Sequence, residues 1–374
     1  MRGPGFPGAP FGAPQKNPEP VYLTDKQQNP GDTASSVRFA PNNSSMFSCV
    51  SWDQKLRLYT INQGQSLSKS MEIQLEGMPL CQTWNAAGSG VYVSLSNNSL
   101  VLVDFASQGQ QKFATNPHPI LYVQLFVGGN FLVCFDSDKN LLVFATANAP
   151  GSPPNFTLKL AYQPICGAIS GNTLILGCAG SRFGILDLPN ISKYTPSDVN
   201  LIESNLAAPI SSVHLEESNK DFFLGSSDGR VYKGFYTQQS GWSAKPIYTS
   251  SHNANDTEKN FTYLAQSRKQ NNDKDSPSDL FNINAMGGHP RSKPFLFTTG
   301  SDGVLHFWDT KVKNKIAFYN LKGPVNCADV SHDGNFIAFA IGYDWSQGVW
   351  GLANVNYEPC VGFKQISDNE LTFK

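Results

Sequence analysis

The stretch from Phe295 to Thr310 constrains the fold of this chain more than any other segment. Its first residues, FLFTT, are strand formers, and Gly300–Gly303 contains the Asp-Gly pair that supplies the positive φ angles of a tight hairpin turn. The chain then resumes as a strand that ends in Trp308-Asp309. Strand, turn, strand and Trp-Asp form the pattern of one β-propeller blade, and a single blade cannot bury both of its faces. The stretch therefore predicts further copies of itself.

The rest of the chain contains those copies. Each repeats the order of an alternating strand, a polar turn, an apolar strand, a second turn and another strand. The seven copies begin near Ser35, Pro79, Pro119, Pro164, Pro209, Phe281 and Gly323. Their usual period of about 40 to 45 residues is that of four-stranded WD-type blades. The sequence therefore predicts an all-β fold, a seven-bladed WD40 β-propeller that forms one domain over residues 20–374.

Both ends of the predicted propeller have distinct features. Residues 1–19 consist largely of Gly, Pro, Ala and Phe, so we predict a short disordered tail with the FG-like dipeptides Gly5-Phe6 and Phe11-Gly12. A plain flexible tail is the alternative interpretation. Val21-Tyr22-Leu23 is predicted to close the ring by pairing with the last blade, which would remove an exposed edge. We expect that blade to run from Gly323 to about Trp350.

One interval between the copies is longer than the others. Between Tyr236 and Phe281 lies a segment rich in Asn, Lys, Asp and Ser, and it holds the apolar island Asn260–Leu264. We expect the island to be the outer strand of blade 5. The polar residues 266–279 are predicted to form a mobile loop.

Composition limits the kinds of partner and chemistry. The formal net charge is −1, so no overall field draws the chain to nucleic acid, and any RNA contact must come from a local patch. The seven cysteines form no C-x-x-C pair, which predicts buried free thiols of a reduced compartment rather than disulfides or zinc ligands. No apolar run approaches the roughly 20 residues of a membrane span. We expect a soluble intracellular protein without a cofactor or metal.

No motif in the sequence supports catalysis. Gly225–Gly229 matches G-x-S-x-G, but a nucleophile elbow needs a helix after the turn, and a strand pattern begins at Arg230. The histidines are scattered, and the acidic residues lie mainly in turns. The sequence therefore predicts a non-enzymatic binding platform that contacts its partner through loops or grooves between blades.

The candidate contacts of this platform are aromatic and basic residues at turns and strand edges. They are Arg230, Phe261, Tyr263, Trp308, Lys311, Lys313 and Lys315. Such a set suits an acidic peptide or an RNA backbone. The alternative interpretations are packing of Trp308 in the core and a solvated loop for the three lysines.

Four segments of the chain match the motifs of a known family. They are Pro30–Pro41 with Ser51-Trp52-Asp53, Gly225–Val231 with Lys259–Tyr263, Thr299–Gly303 with His306–Asp309, and Tyr343–Gly348. Over about residues 30–366 the chain thereby resembles the Rae/Gle-type mRNA export factors of the nuclear pore, which are relatives of a mitotic-checkpoint propeller. The last segment, Tyr-Asp-Trp-Ser-Gln-Gly, favours the export branch.

The resemblance implies a non-enzymatic adaptor. Members of that family bind a short nucleoporin segment, the GLEBS motif, dock at the nuclear pore, take part in mRNA export and contact RNA weakly. For this chain it implies location in the nucleus at the nuclear envelope, a GLEBS-containing FG nucleoporin as partner, and a monomeric propeller within a larger complex. Carried over by motif, the partner-facing residues are Arg230, Phe261, Tyr263, Trp308 and Asp309. An arginine can hold a carboxylate in bidentate geometry while aromatics cover the apolar side of the peptide.

The chain departs from the family pattern after the aromatic strand. Leu264 stands where the family usually has a basic residue, so one salt bridge to the partner is lost unless Arg268 or Lys269 replaces it. Two other functions are compatible with the fold. One is a kinetochore or checkpoint adaptor, and the other is an unrelated scaffold such as a ubiquitin-ligase substrate receptor.

Overall fold

Seven antiparallel sheets arranged as blades make up the computed structural model of the chain. The structure describes residues 17–63, 65–126, 130–216, 220–238, 246–249, 261–269, 278–292 and 294–372. The predicted all-β, seven-bladed propeller is confirmed. Residues 1–16, which carry most of the predicted tail and both FG-like dipeptides, lie outside the described residues, so the division into tail and propeller stays a prediction.

Blades 1 to 4 each contain four strands in chain order, from an inner strand at the axis of the ring to an outer strand at its rim. The strands of blade 1 are Ala34–Ala40, Asn43–Ser51, Lys55–Ile61 and Leu67–Gln74. Those of blade 2 are Pro79–Trp84, Gly90–Leu95, Ser99–Asp104 and Gly109–Thr115. Those of blade 3 are Ile120–Phe126, Phe131–Asp136, Asn140–Ala145 and Phe156–Lys159. Those of blade 4 are Pro164–Ser170, Thr173–Cys178, Arg182–Asp187 and Ile202–Glu203.

Blades 5 to 7 follow the same plan with two variations. The strands of blade 5 are Ile210–Glu216, Asp221–Ser226 and Arg230–Gln238, with Pro246–Thr249 and Phe261–Leu264 in the outer position. Those of blade 6 are Ile283–Gly288, Phe295–Gly300, Val304–Asp309 and Asn314–Asn320. Those of blade 7 are Val325–Val330, Phe336–Ile341, Cys360–Gln365 and, from the other end of the chain, Val21–Tyr22.

The inner strands share a β-bulge and together form a closed ring. In every blade the pairing of the inner and second strands shifts at the same place, between the first and third residues of the inner strand. Each inner strand packs against the inner strand of the next blade, and that of blade 7 packs against that of blade 1. Apolar clusters fill the spaces between neighbouring blades. The core is therefore distributed around the ring.

Tight turns join the second and third strands of blades 1 to 6 and define one face of the ring, here called the turn face. Each turn contains a residue with positive φ just before the third strand. These residues are Gln54, Asn98, Lys139, Ser181, Gly229 and Gly303. At Gly229 a Cβ would lie 2.2 Å from the carbonyl oxygen of Gln266, so the close approach of these two backbones requires glycine.

The ring closes as the sequence predicts. Val21 pairs with Phe363 and Tyr22 with Gly362 in an antiparallel register. The Tyr22 ring also packs edge-on against Phe339, with 5.7 Å between ring centroids. The terminal strand thereby covers the edge of the last blade, which would otherwise be open to pairing with another chain.

Two details differ from the sequence predictions. Blade 7 does not end near Trp350, because its third strand is Cys360–Gln365 and a long connection with the short helix Gly348–Gly351 precedes it. The predicted mobile loop at 266–279 contains a two-stranded hairpin, in which Ser267–Lys269 pairs with Ser278–Leu280. The apolar island does occupy the outer position of blade 5, but it shares that position with another strand.

Short helical segments occupy a few connections. They are Lys26–Gln28, Leu188–Lys193, Pro196–Asp198, Gly348–Gly351, Leu352–Asn354 and Asp368–Leu371. None of the helices in the described ranges is long and apolar enough to cross a membrane. All seven cysteines are free thiols; the predicted burial is confirmed for Cys49, Cys134 and Cys178, whereas the other four are half-buried.

Candidate functional site

The predicted aromatic residues meet on the flank of the propeller, where blades 5 and 6 adjoin. The rings of Phe261 and Tyr263, on the outer strand of blade 5, have centroids 5.9 Å apart. The Tyr263 ring lies 5.1 Å from that of Trp308, on the third strand of blade 6. Alternation along the short strand Phe261–Leu264 directs both aromatics to the same side, toward blade 6. The sequence therefore brings three of the candidate residues together.

Lysines surround this aromatic row. The Lys313 ammonium lies 4.1 Å from the centroid of the Phe261 ring. The Lys315 ammonium lies 5.3 Å from the Trp308 ring and 5.5 Å from the Phe318 ring. Phe261, Tyr263, Trp308, Lys313, Lys315 and Phe318 are here called the aromatic-basic patch. At these distances each ammonium is attracted modestly to the aromatic face beneath it and stays available to an anion.

Burial shapes the chemistry of the patch. Burial raises the pKa of the Tyr263 hydroxyl, so this group stays a neutral phenol. Partial burial lowers the pKa of Lys315, an effect that the Asp302 carboxylate partly offsets. Beneath the patch, burial lowers the pKa of His306 although Asp302 lies 3.8 Å from its Nε2 atom. His306 is therefore neutral at pH 7, and the lysines provide the positive charge of the patch.

Trp308 and Asp309 lie mostly below the surface. Trp308 is only 6% exposed, and its Nε1 donates a hydrogen bond to Thr298 Oγ1 at 2.9 Å. The buried carboxylate of Asp309 accepts hydrogen bonds from the backbone N–H groups of Lys311 and Val312. Trp308 thus supports Tyr263 from below, and Asp309 shapes the turn that carries Lys311.

Arg230 lies at the turn-face end of the same flank. It is the first residue of the third strand of blade 5 and pairs with Leu264 of the aromatic strand. Its side chain is 40% exposed and forms an ion pair with Asp228 in the preceding turn. A partner carboxylate at this place would compete with Asp228 for a guanidinium that is already oriented.

The candidate residues extend along the flank instead of converging in one pocket. Arg230 begins a third strand at the turn face, whereas the exposed Lys311 follows the end of a third strand at the opposite face. An extended segment suits this arrangement better than a compact ligand. Which of these residues contact a partner remains a prediction.

Sequence reasoning missed Phe318, which is 57% exposed. It pairs with His306 across two strands of blade 6 and places an apolar ring beside Lys315. The alternation of NKIAFYN would have indicated an outward-facing residue only if the register of this outer strand had been known. The side chains of Arg268 and Lys269 lie outside the described residues, so the expectation that one of them replaces the missing basic residue at Leu264 stays a prediction.

Comparisons with known proteins find relatives over most of the chain. It is 25% identical over 329 residues to the mRNA export factor rae-1 of Caenorhabditis elegans, a match that covers 85% of the chain and 82% of the worm protein. It is 24% identical to the mRNA export factor GLE2 of Chaetomium thermophilum, over 86% of the chain and 84% of that protein. It is 26% identical to Protein RAE1 of Arabidopsis thaliana, over 91% of the chain and 90% of that protein.

A family model also matches one part of the propeller. The model described as WD domain, G-beta repeat, matches residues 26–60, which span the first three strands of blade 1. These comparisons confirm the resemblance that the sequence motifs indicated.

Proposed function

We propose that this chain, a WD40 propeller related to the Rae1 and Gle2 mRNA export factors, is a non-enzymatic adaptor that takes part in mRNA export from the nucleus. In this proposal it binds a GLEBS-type segment of an FG nucleoporin and is thereby held at the nuclear pore complex. The two relatives named mRNA export factor support the export role, because each matches more than four-fifths of the chain.

The aromatic-basic patch together with Arg230 is the observation that supports peptide binding. An extended acidic segment could place a carboxylate at Arg230, apolar side chains on Phe261 and Tyr263, and further acidic groups near Lys313 and Lys311. Most of the binding energy would then come from the aromatics and the arginine, with the lysines at the rim adding specificity and speed of association. Weak RNA binding would use the same lysines.

Calorimetric titration with a synthetic GLEBS-type peptide tests this proposal. We expect a dissociation constant below about 1 μM, which corresponds to better than about −8 kcal/mol. Arg230→Glu should weaken binding at least tenfold, because it places a negative charge where the peptide carboxylate would lie. Lys313→Glu should weaken it less, since its ammonium is more exposed.

Arg182→Glu is a matched control. Arg182 is the first residue of the third strand of blade 4, equivalent to Arg230 in blade 5, and it pairs with Glu203 at 3.3 Å. This variant should bind the peptide as wild type does. If wild type does not bind, or if both arginine variants lose binding equally, the proposed peptide site is wrong.

The export role needs a separate readout. Cells depleted of the protein should accumulate polyadenylated RNA in the nucleus, as seen by in situ hybridisation. Wild type should restore export, and Arg230→Glu should not. Normal RNA distribution after depletion would contradict the export role, and the fold would then serve as a scaffold for another complex.

A further inference from the structure

A second surface of the propeller lies in the connection between the second and third strands of blade 7. It carries the two most exposed large apolar side chains of the described residues, Trp350 at 90% and Val349 at 70%. Trp345 and Leu352 are also exposed, at 41% and 43%. A scattered exposed apolar residue needs no explanation, but a contiguous group of this kind indicates a site of interaction.

The connection is held in place from within. The Tyr343 hydroxyl donates a hydrogen bond to the carbonyl oxygen of Gly348, at the start of the helix Gly348–Gly351. Gly351 is buried, and a Cβ on it would lie 2.2 Å from the Tyr343 hydroxyl oxygen, so only glycine fits against this ring. Because the helix packs on Tyr343 through Gly351, Val349 and Trp350 project toward solvent.

Blade 1 supports the same connection from the side. The Trp345 ring packs on the Trp52 ring, with 6.2 Å between centroids. The backbone of Trp52 donates to the carbonyl of Thr33 at 2.9 Å, and the Thr33 hydroxyl donates to the carbonyl of Tyr343 at 3.0 Å. These contacts anchor the exposed aromatics before any partner arrives, which lowers the entropic cost of binding.

The charge around this surface is acidic. Residues 342–357 contain no Lys, Arg or His, and their one acidic residue, Asp344, is half-buried, with its Oδ1 accepting hydrogen bonds from the backbone N–H and the hydroxyl of Ser346. The exposed Asp32 adjoins Thr33 in the contact just described. Among the described residues no ion pair neutralises Asp32 or Asp344, whereas the nearby Asp53 is paired with Arg57. A cationic partner is therefore favoured at this corner of the turn face.

We propose that Trp345, Val349 and Trp350, here called the tryptophan ledge, bind a peptide segment that carries apolar side chains together with arginine or lysine. Indole faces are the best aromatic partners of cations, and the apolar side chains of the segment would cover Val349. The acidic surroundings disfavour anionic membranes and nucleic acid. This preference is opposite to that of the aromatic-basic patch, so the proposal does not depend on the export role.

Selection from a library of random peptides displayed on phage tests the proposal. Peptides are selected on wild type and counter-selected on the double variant Val349→Ser, Trp350→Ala. Both side chains face solvent, so the variant should fold, which its circular dichroism and melting temperature would verify. We expect the selected peptides to combine Arg or Lys with Leu, Phe or Trp, and to bind the double variant at least tenfold more weakly in fluorescence anisotropy.

Two single variants sharpen the result. Asp32→Lys should weaken binding severalfold, whereas Leu280→Ser, which removes another exposed apolar side chain, should leave it unchanged. The proposal would be overturned if all recovered peptides bound the double variant as tightly as wild type. It would also be overturned if the recovered peptides were acidic. Vesicles of phosphatidylcholine with phosphatidylserine provide the other arm. If they bind wild type but not the double variant, the ledge is a membrane contact and the peptide proposal is wrong.

Discussion

Trp308 shows how one side chain can serve both the core and a candidate site. Its indole is almost fully buried and fixed by the hydrogen bond to Thr298, yet one face meets Tyr263 at the surface. The interpretation of Trp308 as core and its interpretation as part of a binding surface are therefore compatible. A buried hydrogen bond of this kind orients a ring that a partner would touch only through Tyr263.

Replacing Thr298 by Val should leave the indole N–H of Trp308 buried without an acceptor. We expect the free energy of unfolding to fall by about 1–3 kcal/mol, the usual cost of an unsatisfied buried donor. Urea denaturation measures this loss. Thr298→Ser keeps the hydroxyl, so its free energy of unfolding should fall clearly less. Equal losses of unfolding free energy in the two variants would show that packing, and not the hydrogen bond, sets the cost.

Glu72 is a second residue whose surroundings predict a measurable effect. Burial alone would raise its pKa, but hydrogen bonds from Lys55 and Lys69 and the charge of Arg57 lower the pKa to about 2. A carboxyl with a lower pKa in the folded chain stabilises the fold above its unfolded pKa of about 4.5, and this contribution is lost as the pH falls toward 2.

We expect Glu72→Gln to lower the free energy of unfolding by about 1 kcal/mol at pH 7, because partly exposed ion pairs are screened by solvent. The difference from wild type should shrink as the pH falls below about 4.5. Urea titrations at pH 7, 5 and 3.5 would follow it. A difference that stays constant over this range would mean that the amide disturbs packing and that charge contributes little.

At the scale of elements, the terminal strand depends on one glycine. A Cβ on Gly362 would lie 2.6 Å from the Phe339 ring and 2.7 Å from the carbonyl oxygen of Val21. The third strand of blade 7 can therefore accept the pairing of Val21 and Tyr22 only because residue 362 has no side chain.

Gly362→Val should push the terminal strand away from blade 7 and expose the edge of Cys360–Gln365. We expect a lower melting temperature and concentration-dependent self-association, because unpaired strand edges recruit other chains. Thermal denaturation and size-exclusion chromatography would detect both. Deleting residues 1–16 is the control, since it spares the terminal strand and should change neither property. A monomeric variant with a wild-type melting temperature would contradict this role of the strand.

Most of the blades could be predicted from the sequence, because strands and tight turns alternate at short range. Blade 7 was misjudged because a connection of 18 residues, from Gly342 to Pro359, separates its second and third strands and carries no hairpin signal. The second outer strand of blade 5 was missed because Pro246–Thr249 lies inside a polar insert. Phe318 and the tryptophan ledge were missed because exposure depends on register and on tertiary contacts.

At the scale of the whole molecule, the ring places two surfaces of opposite charge preference on different blades. The aromatic-basic patch joins blades 5 and 6, and the tryptophan ledge adjoins blades 7 and 1. Apolar clusters lock each blade to its neighbours, so the separation between the two surfaces is fixed.

Substitutions at the two surfaces should act independently. We expect the changes in unfolding free energy of Arg230→Glu and Trp350→Ala to add within about 0.5 kcal/mol in the double variant, as for distant sites without shared partners. Urea denaturation of the two single variants and the double variant measures this. A larger deviation would mean that blade 6 transmits strain between the surfaces, and the picture of a rigid ring would then fail.

The shared strand of blade 7 also has a consequence for biosynthesis. Val21 and Tyr22 leave the ribosome long before their partner strand, Cys360–Gln365, is synthesised. At about 5–20 residues per second, the nascent chain spends some tens of seconds with this early segment unpaired and one flank of blade 1 uncovered. During that time a cell must shield the growing propeller from neighbouring chains, so chaperones that act during translation should matter more for this protein than its finished, closed ring would suggest.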